Sequence, residues 1–267
     1  MSGVRSDPVA PASTLPSFEL AGKLAVVTGA SEGIGAGLAV AFARAGARLA
    51  LVSRAPERTS ELLAEIHGAG GEARAYRADV RVRGEVEALA KAIASEQGAA
   101  DVLVNSAGVA LTKPAFDVTE EEWNTVLDTG LKGTFFACVA FARGMAERGF
   151  GKIINLASTY SESVAPNKSV YAIAKAGVVH LTRSLAVEWA PQGIRVNALA
   201  PAFTVTPTRK AILADAERMR GILSRIPLGR VGSPSDLLGA GLFLASAASD
   251  FMTGQTLFVD GGWNAAR

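Results

Sequence analysis

The sequence predicts an α/β fold: one domain built on a doubly wound parallel sheet of about seven strands flanked by helices. Three observations predict it. Short runs rich in Val, Ile and Leu alternate with helix-length segments along the chain, the pattern of strands buried on both faces and joined by helical crossovers. A glycine-rich turn, TGASEGIG (Thr28 to Gly35), joins the first strand to the first helix. Every cluster of residues suited to chemistry falls at the carboxyl end of a strand or just after it, where such sheets place their ligands.

The elements follow in order. Residues 1–17 hold Arg5, Asp7 and three prolines with no apolar leader core, and read as a flexible N-terminal arm. Strands are expected at 23–28, 48–53, 72–77, 101–105, 151–157, 194–199 and 256–260, and helices at 34–46, 57–68, 82–97, 119–147, 169–190 and 234–246. The stretch 202–232 breaks the alternation. It contains Pro207, Gly221, Pro227, Gly229 and a short helical run from Arg209 to Arg225, and reads as a lid beside the site. No repeat or low-complexity linker divides residues 18–267, so they form one domain.

Composition narrows the function. With 267 residues, 49% of them hydrophobic, the chain has enough apolar surface for a sizeable core. A net charge of +2 argues against nucleic acid or a membrane surface as partner. The single cysteine, Cys138, excludes an intrachain disulfide and fits a reducing, cytoplasmic compartment; it reads as a small buried hydrophobe. His67 and His180 stand apart from other metal-ligand residues, so no metal site is expected. The longest apolar helix-like stretch read from sequence, Leu237 to Ala248, is too short to span a bilayer.

The run YAIAK places Tyr171 and Lys175 four apart, on one face of a helix, with Ser158 thirteen residues upstream. A free phenol, with a pKa near ~10, is a poor base at neutral pH. An ammonium about 4 Å away at an effective dielectric near 20 favours the phenolate by roughly 4 kcal/mol, about three pK units. Lys175 supplies that charge, and Ser158 can hold the oxygen that Tyr171 protonates. In the turn TGASEGIG, glycines let backbone approach a pyrophosphate, and the helix N-terminus that follows offers N–H groups to it. Each signal alone is open to a blander reading, a surface pair or an ordinary turn. Together they point to a dinucleotide-dependent proton-transfer site.

With these residues in view, the chain resembles the short-chain dehydrogenase/reductase family over about residues 18 to 263, and so a Rossmann-type sheet. TGASEGIG matches the family's TGxxxGxG loop, with Gly29, Gly33 and Gly35 as the glycines and Ser31 and Ile34 between them. Asn105-Ser106-Ala107-Gly108 resembles its NNAG motif, and Ser158, Tyr171 and Lys175 match its catalytic serine, tyrosine and lysine. IRVNALAP (Ile194 to Pro201) and TGQTLFVDGGW (Thr253 to Trp263) are also similar to family segments.

The resemblance implies further roles. Asn105, Ala107 and Gly108 would border the cofactor, Asp79 and Val80 the adenine, and Pro201, Ala202, Thr204 and Thr206 the nicotinamide carboxamide. Asp79 has a second reading, as cap of the helix near residue 82. Ser53 stands where NAD-preferring relatives carry Asp, and Arg54 follows, a guanidinium able to grip a 2′-phosphate. NADP(H) is therefore expected over NAD(H). Glu32, where NADP-preferring relatives often carry a cation, argues the other way.

Departures from the family pattern are local. Its fourth catalytic residue is an asparagine seven positions after a tryptophan, which from Trp123 lands on Gly130. Glycine keeps the carbonyl that would support a proton-relay water. It either preserves the helix bend expected there or weakens the relay. Pro201-Ala202 replaces the usual Pro-Gly, and Thr204 an aliphatic residue.

The substrate expected is a carbonyl or secondary alcohol: a sugar acid, a small ketone or a 3-oxoacyl thioester. LDTGLKGTFF and ASTYSESVAP resemble gluconate-type dehydrogenases most. An acyl carrier protein is a possible partner through Arg209, Lys210, Arg218, Arg220 and Arg225. A dinucleotide-binding sensor or assembly subunit with little catalysis is the alternative, which Gly130 favours. Relatives suggest a homotetramer paired through 119–147, 169–190 and 256–263.

Overall fold

The computed structural model describes residues 16–206 and 213–266. Most of the expected N-terminal arm, and Pro207, Arg209, Lys210 and Ile212 of the expected lid, lie outside the described residues. Seven parallel strands form one sheet in the order β3-β2-β1-β4-β5-β6-β7. They are β1 (Leu24–Thr28), β2 (Arg48–Ser53), β3 (Ala73–Arg77), β4 (Val102–Asn105), β5 (Gly151–Leu156), β6 (Ile194–Pro201) and β7 (Thr256–Val259). The helices are α1 (Gly33–Arg44), α2 (Ser60–Gly68), α3 (Arg83–Gln97), α4 (Glu120–Leu127), α5 (Gly133–Arg148), α6 (Ser169–Trp189), α7 (Ala216–Leu223) and α8 (Ser235–Ala245).

The alternation of side chains along β1 explains the layering. Leu24 and Val26 join a core with Phe141, Met145 and Leu185 beneath α3, α5 and α6. Ala25 and Val27 face the opposite core, with Leu38, Phe42 and Leu237 beneath α1 and α8. Both faces are thus covered, as a parallel sheet requires. The strand order reverses between β1 and β4, and Ser106 N–H donates across that point to the Thr28 carbonyl and hydroxyl at 3.3 and 3.2 Å. Sheets of this kind bind their ligands beyond the strand ends at such a junction.

Four expectations need correction. β3 (ARAYR) is an edge strand, and no residue in it is fully buried; Arg74 and Arg77 are exposed. The expected helix 119–147 is α4 and α5 joined by a π-helical turn, Asp128–Lys132. The helical run expected from Arg209 to Arg225 is interrupted: Leu213 is helical, the helix breaks at Ala214 and Asp215, and α7 then begins with Asp215 accepting from Arg218 N–H at 3.0 Å. Finally, the continuous helical stretch Glu120–Arg148 is long and apolar enough to cross a membrane, which the sequence reading missed. Its apolar side is the core layer: Ala137, Cys138, Phe141, Ala142 and Met145 are buried against the sheet.

Candidate active site

The glycine loop is shaped by close contacts. Gly29 has φ 66°, and a Cβ there would lie 2.8 Å from the Ala107 backbone. A Cβ on Gly35 would lie 2.5 Å from the Gly29 carbonyl oxygen. Neither position admits a side chain, so the loop, the β4 end and the start of α1 are pressed together. Glu32 occupies the N-cap position of α1 in extended conformation and makes no side-chain cap. The first N–H groups of α1 therefore have no capping side chain, which suits an anion such as a pyrophosphate. Ser31, Gly33 and Ile34 are half-buried around this N-terminus, and the Thr206 methyl stands 3.0 Å from where a Gly33 Cβ would be. The residues present therefore fit a dinucleotide phosphate.

At the end of β2, Ser53 Oγ accepts from Ala55 N–H at 3.2 Å and Arg54 is exposed. Glu32 pairs with Arg58 at 3.1 Å. Arg58 belongs to a short 3₁₀ turn, Pro56–Thr59, and was not among the expected site residues. Asp79 is gripped by Arg81 through Nε and Nη2, the latter at 2.6 Å. That hydrogen-bonded guanidinium, with a smaller contribution from the Arg54 charge, holds the Asp79 carboxyl below its ordinary value. Helix α3 has Val82 as N-cap with no side-chain bond, so Asp79 does not cap it. Val80 is buried in the core.

Not every expected cofactor residue turns its side chain to the crevice. The Asn105 amide is buried, donating to Asn155 Oδ1 at 2.9 Å and facing Cys138 Sγ at 3.2 Å. Asn155 in turn donates to Thr182 Oγ1 at 3.0 Å. This polar chain ties β4 to β5 and α6 beneath the site. Burial pushes the Cys138 thiol up to about 12, so it is inert. Thr204 is also buried, its hydroxyl donating to the Ala202 carbonyl at 3.1 Å. Ala202 packs with Ile226 and Trp263, and Pro201 ends β6 in the core.

Ser158, Tyr171 and Lys175 come together just beyond β5. Ser158 is extended and buried, and its Oγ accepts from Tyr160 N–H at 3.2 Å. Lys175, buried on α6, donates to the Leu156 carbonyl at 2.5 Å. A Cβ on Gly108 would be 3.8 Å from the same Nζ, which places the ammonium at the ends of both β4 and β5. That Nζ stands 5.9 Å from the Tyr171 ring centroid. Tyr171 is half-buried, and the Tyr160 ring meets it edge to face at 6.2 Å. Gly130 lies in the π-helical turn against Ala174, the neighbour of Lys175, and its carbonyl accepts from Thr134 Oγ1 at 2.9 Å. Among the described residues, no group of three or more His, Cys, Asp or Glu could hold a metal ion.

A serine, a phenol and an ammonium beside a phosphate cradle can polarise a carbonyl and deliver a proton to it. Comparison with known proteins finds dehydrogenases and reductases. The family model described as Enoyl-(Acyl carrier protein) reductase matches residues 29–264. The 2-dehydro-3-deoxy-D-gluconate 5-dehydrogenase of Escherichia coli K12 is 39% identical over 250 residues, covering 93% of this chain and 98% of that one. The 5-keto-D-gluconate 5-reductase of the same organism is 38% identical over 245 residues, 92% of this chain and 96% of that one. The crystal structure of a gluconate 5-dehydrogenase from Burkholderia cenocepacia, in complex with NADP and tartrate, superposes with a TM-score of 0.90. It is 39% identical, with 94% of this chain and 98% of that one covered.

Proposed function

We infer, from the premise that the chain belongs to the short-chain dehydrogenase/reductase family and is an NAD(P)-dependent oxidoreductase of CH–OH groups, that it reduces a keto sugar acid with NADPH. The carrying observation is the meeting of Ser158, Tyr171 and Lys175 beside the glycine cradle. When bound, the nicotinamide supplies the hydride. Ser158 donates to the substrate oxygen and steadies its developing charge. Tyr171 gives that oxygen a proton, and Lys175 favours the phenolate left behind.

Arg54 supports the preference for NADP(H), and so does the pairing of Glu32 with Arg58, which offsets the Glu32 carboxylate. Sugar acids are favoured by the relatives named above, 2-dehydro-3-deoxy-D-gluconate 5-dehydrogenase and 5-keto-D-gluconate 5-reductase. Lys168, which donates to Thr112 Oγ1, and Arg225 bring positive charge to the loops around Ser158, as a carboxylate substrate needs. On α7, Arg218 and Arg220 share the surface with Asp215 and Glu217, so that face is mixed in charge and gives an acyl carrier protein little support.

The test is initial-rate reduction of 5-keto-D-gluconate, a polyol ketone and a 3-oxoacyl thioester with NADPH and with NADH. The expected result is the highest kcat/KM for 5-keto-D-gluconate with NADPH. Turnover of the thioester alone, or of nothing, overturns the reading. The chain is further proposed to form a homotetramer. Exposed Phe135, Ile173 and Val187 on α5 and α6 supply an apolar face for pairing, and light scattering after size exclusion checks it.

A further inference from the structure

Three distant segments meet on one indole ring next to the candidate site. Trp263 follows β7 and is buried. Its Nε1–H donates to Ser163 Oγ at 3.1 Å, and Ser163 Oγ donates to the Thr159 carbonyl at 2.9 Å. The Tyr160 ring stands edge to face on Trp263, with centroids 5.9 Å apart and planes at 74°. Tyr160 in turn stands edge to face on Tyr171, at 6.2 Å and 79°. Arg225, just after α7, covers the indole at 4.2 Å and reaches the Val164 carbonyl at 3.5 Å.

The backbone around Trp263 is built for this approach. Gly261 and Gly262 have φ 62° and 90°. A Cβ on them would fall 2.7 Å from Ile226 Cγ2 and 2.9 Å from Pro227 Cγ. Leu228 N–H donates to the Gly261 carbonyl at 3.1 Å, which clasps the segment after α7 to the C-terminal turn. Ile226, Trp263 and Ala202 close the cluster, with Tyr160 packed on it.

We propose that Tyr160 is a positioning residue for proton transfer, anchored by Trp263, so that the C-terminal turn and the segment 225–228 fix the ring of Tyr171. This rests on the reading of Tyr171 as the proton donor. A misplaced donor is costly, since a shift of about 1 Å in a reacting group can cost about 10²-fold in rate. Edge-to-face contact on a ring is directional and limits its tilt. The Tyr160 N–H also reaches Ser158 Oγ, so one residue touches both members of the donor pair.

The experiment uses two readouts on the full chain. One is kcat and KM for 5-keto-D-gluconate with NADPH. The other is the pH titration of Tyr171 by NMR with ring-labelled tyrosine, resolvable because the chain has three tyrosines. Tyr160→Leu and Trp263→Leu are expected to lower kcat about 10-fold with KM changed less than about threefold, and to shift the Tyr171 midpoint. Tyr160→Phe and Trp263→Phe should restore both. Wild-type kcat and midpoint in Tyr160→Leu overturn the proposal; half-buried Tyr160 decides it even where Trp263→Leu does not fold. Full activity in Tyr171→Phe would instead overturn the proton-donor reading. Should the unaltered protein leave 5-keto-D-gluconate untouched, the proposed substrate fails and the titration alone decides.

Discussion

The residues after β2 show how a specificity decision divides between what a sequence displays and what it hides. Arg54 is legible because it sits about 20 positions past the glycine loop, where the second strand must end. Arg58 is not, because its importance lies in meeting Glu32 across 26 residues of chain. That pair is exposed, with side-chain accessibilities of 58% and 28%, and such pairs hold weakly. Arg58 is therefore easily diverted to an arriving phosphate while still offsetting Glu32. Replacing Arg54 by Asp puts an anion where a 2′-phosphate would lie. The ratio of kcat/KM for NADPH to that for NADH should fall about 100-fold, from loss of a charge-assisted contact and gain of a repulsion. Arg58→Ala should lower the same ratio about fivefold by uncovering Glu32. Steady-state kinetics with both coenzymes checks each, and an unchanged ratio in Arg54→Asp would remove Arg54 from the site.

At the scale of the element, the junction of α4 and α5 is where sequence reading fell short. The apolar pattern of each half is intact, so one continuous helix was the natural expectation. A π-helical turn adds a residue to one turn without disturbing composition on either side, and such turns often mark functional sites. Thr129 and Thr134 hydroxyls donate back to the Thr125 and Gly130 carbonyls at 2.8 and 2.9 Å, and Lys132 pairs with Asp128 at 2.8 Å. The turn is thus held by its neighbours, with glycine at its centre. The nearest atom to a Cβ on Gly130 is Ala174 Cβ at 3.8 Å, ordinary contact, so a side chain fits. Gly130→Ala should stabilise the protein by about 0.5–1 kcal/mol, since glycine gives up more freedom on folding. In a chain of this size that raises Tm by about 1–4 °C. Turnover should stay within about threefold, because the position supplies a carbonyl that alanine also has. A tenfold loss with Tm raised would show that the reaction needs the glycine's freedom.

For the whole molecule, strand count, parallel direction and the gathering of motifs at one end of the sheet were all legible, because burial on both faces writes itself as runs of Val, Ile and Leu. The β3 edge was not: ARAYR resembles the other strands in length but lies outermost, paired on one side with β2 alone. Nor was Lys152, in the second position of β5, where the run GKIINL gives no hint that the charge is enclosed. Lys152 is 1% exposed, at the opposite end of the sheet from Tyr171, and pairs with Asp250 at 2.7 Å while donating to Ser249 Oγ at 3.0 Å. Desolvation outweighs the Asp250 contacts and lowers its pKa from 10.5. Between the lowered folded value and 10.5 the unfolded chain binds more protons than the folded one, so stability rises with pH there. Below the folded value the full cost of burying the ammonium is present. Lys152→Met keeps the volume and removes that cost, while half-exposed Asp250 stays hydrated. Near neutral pH the variant should be equal to the parent or up to about 2 kcal/mol more stable. Its advantage should shrink as pH climbs towards 10.5, because only the parent gains in that window. Thermal melts of both proteins across that range decide it. A variant several degrees less stable near neutral pH would mean that the Lys152–Asp250–Ser249 contacts, rather than the apolar layers, hold β5 to the end of α8.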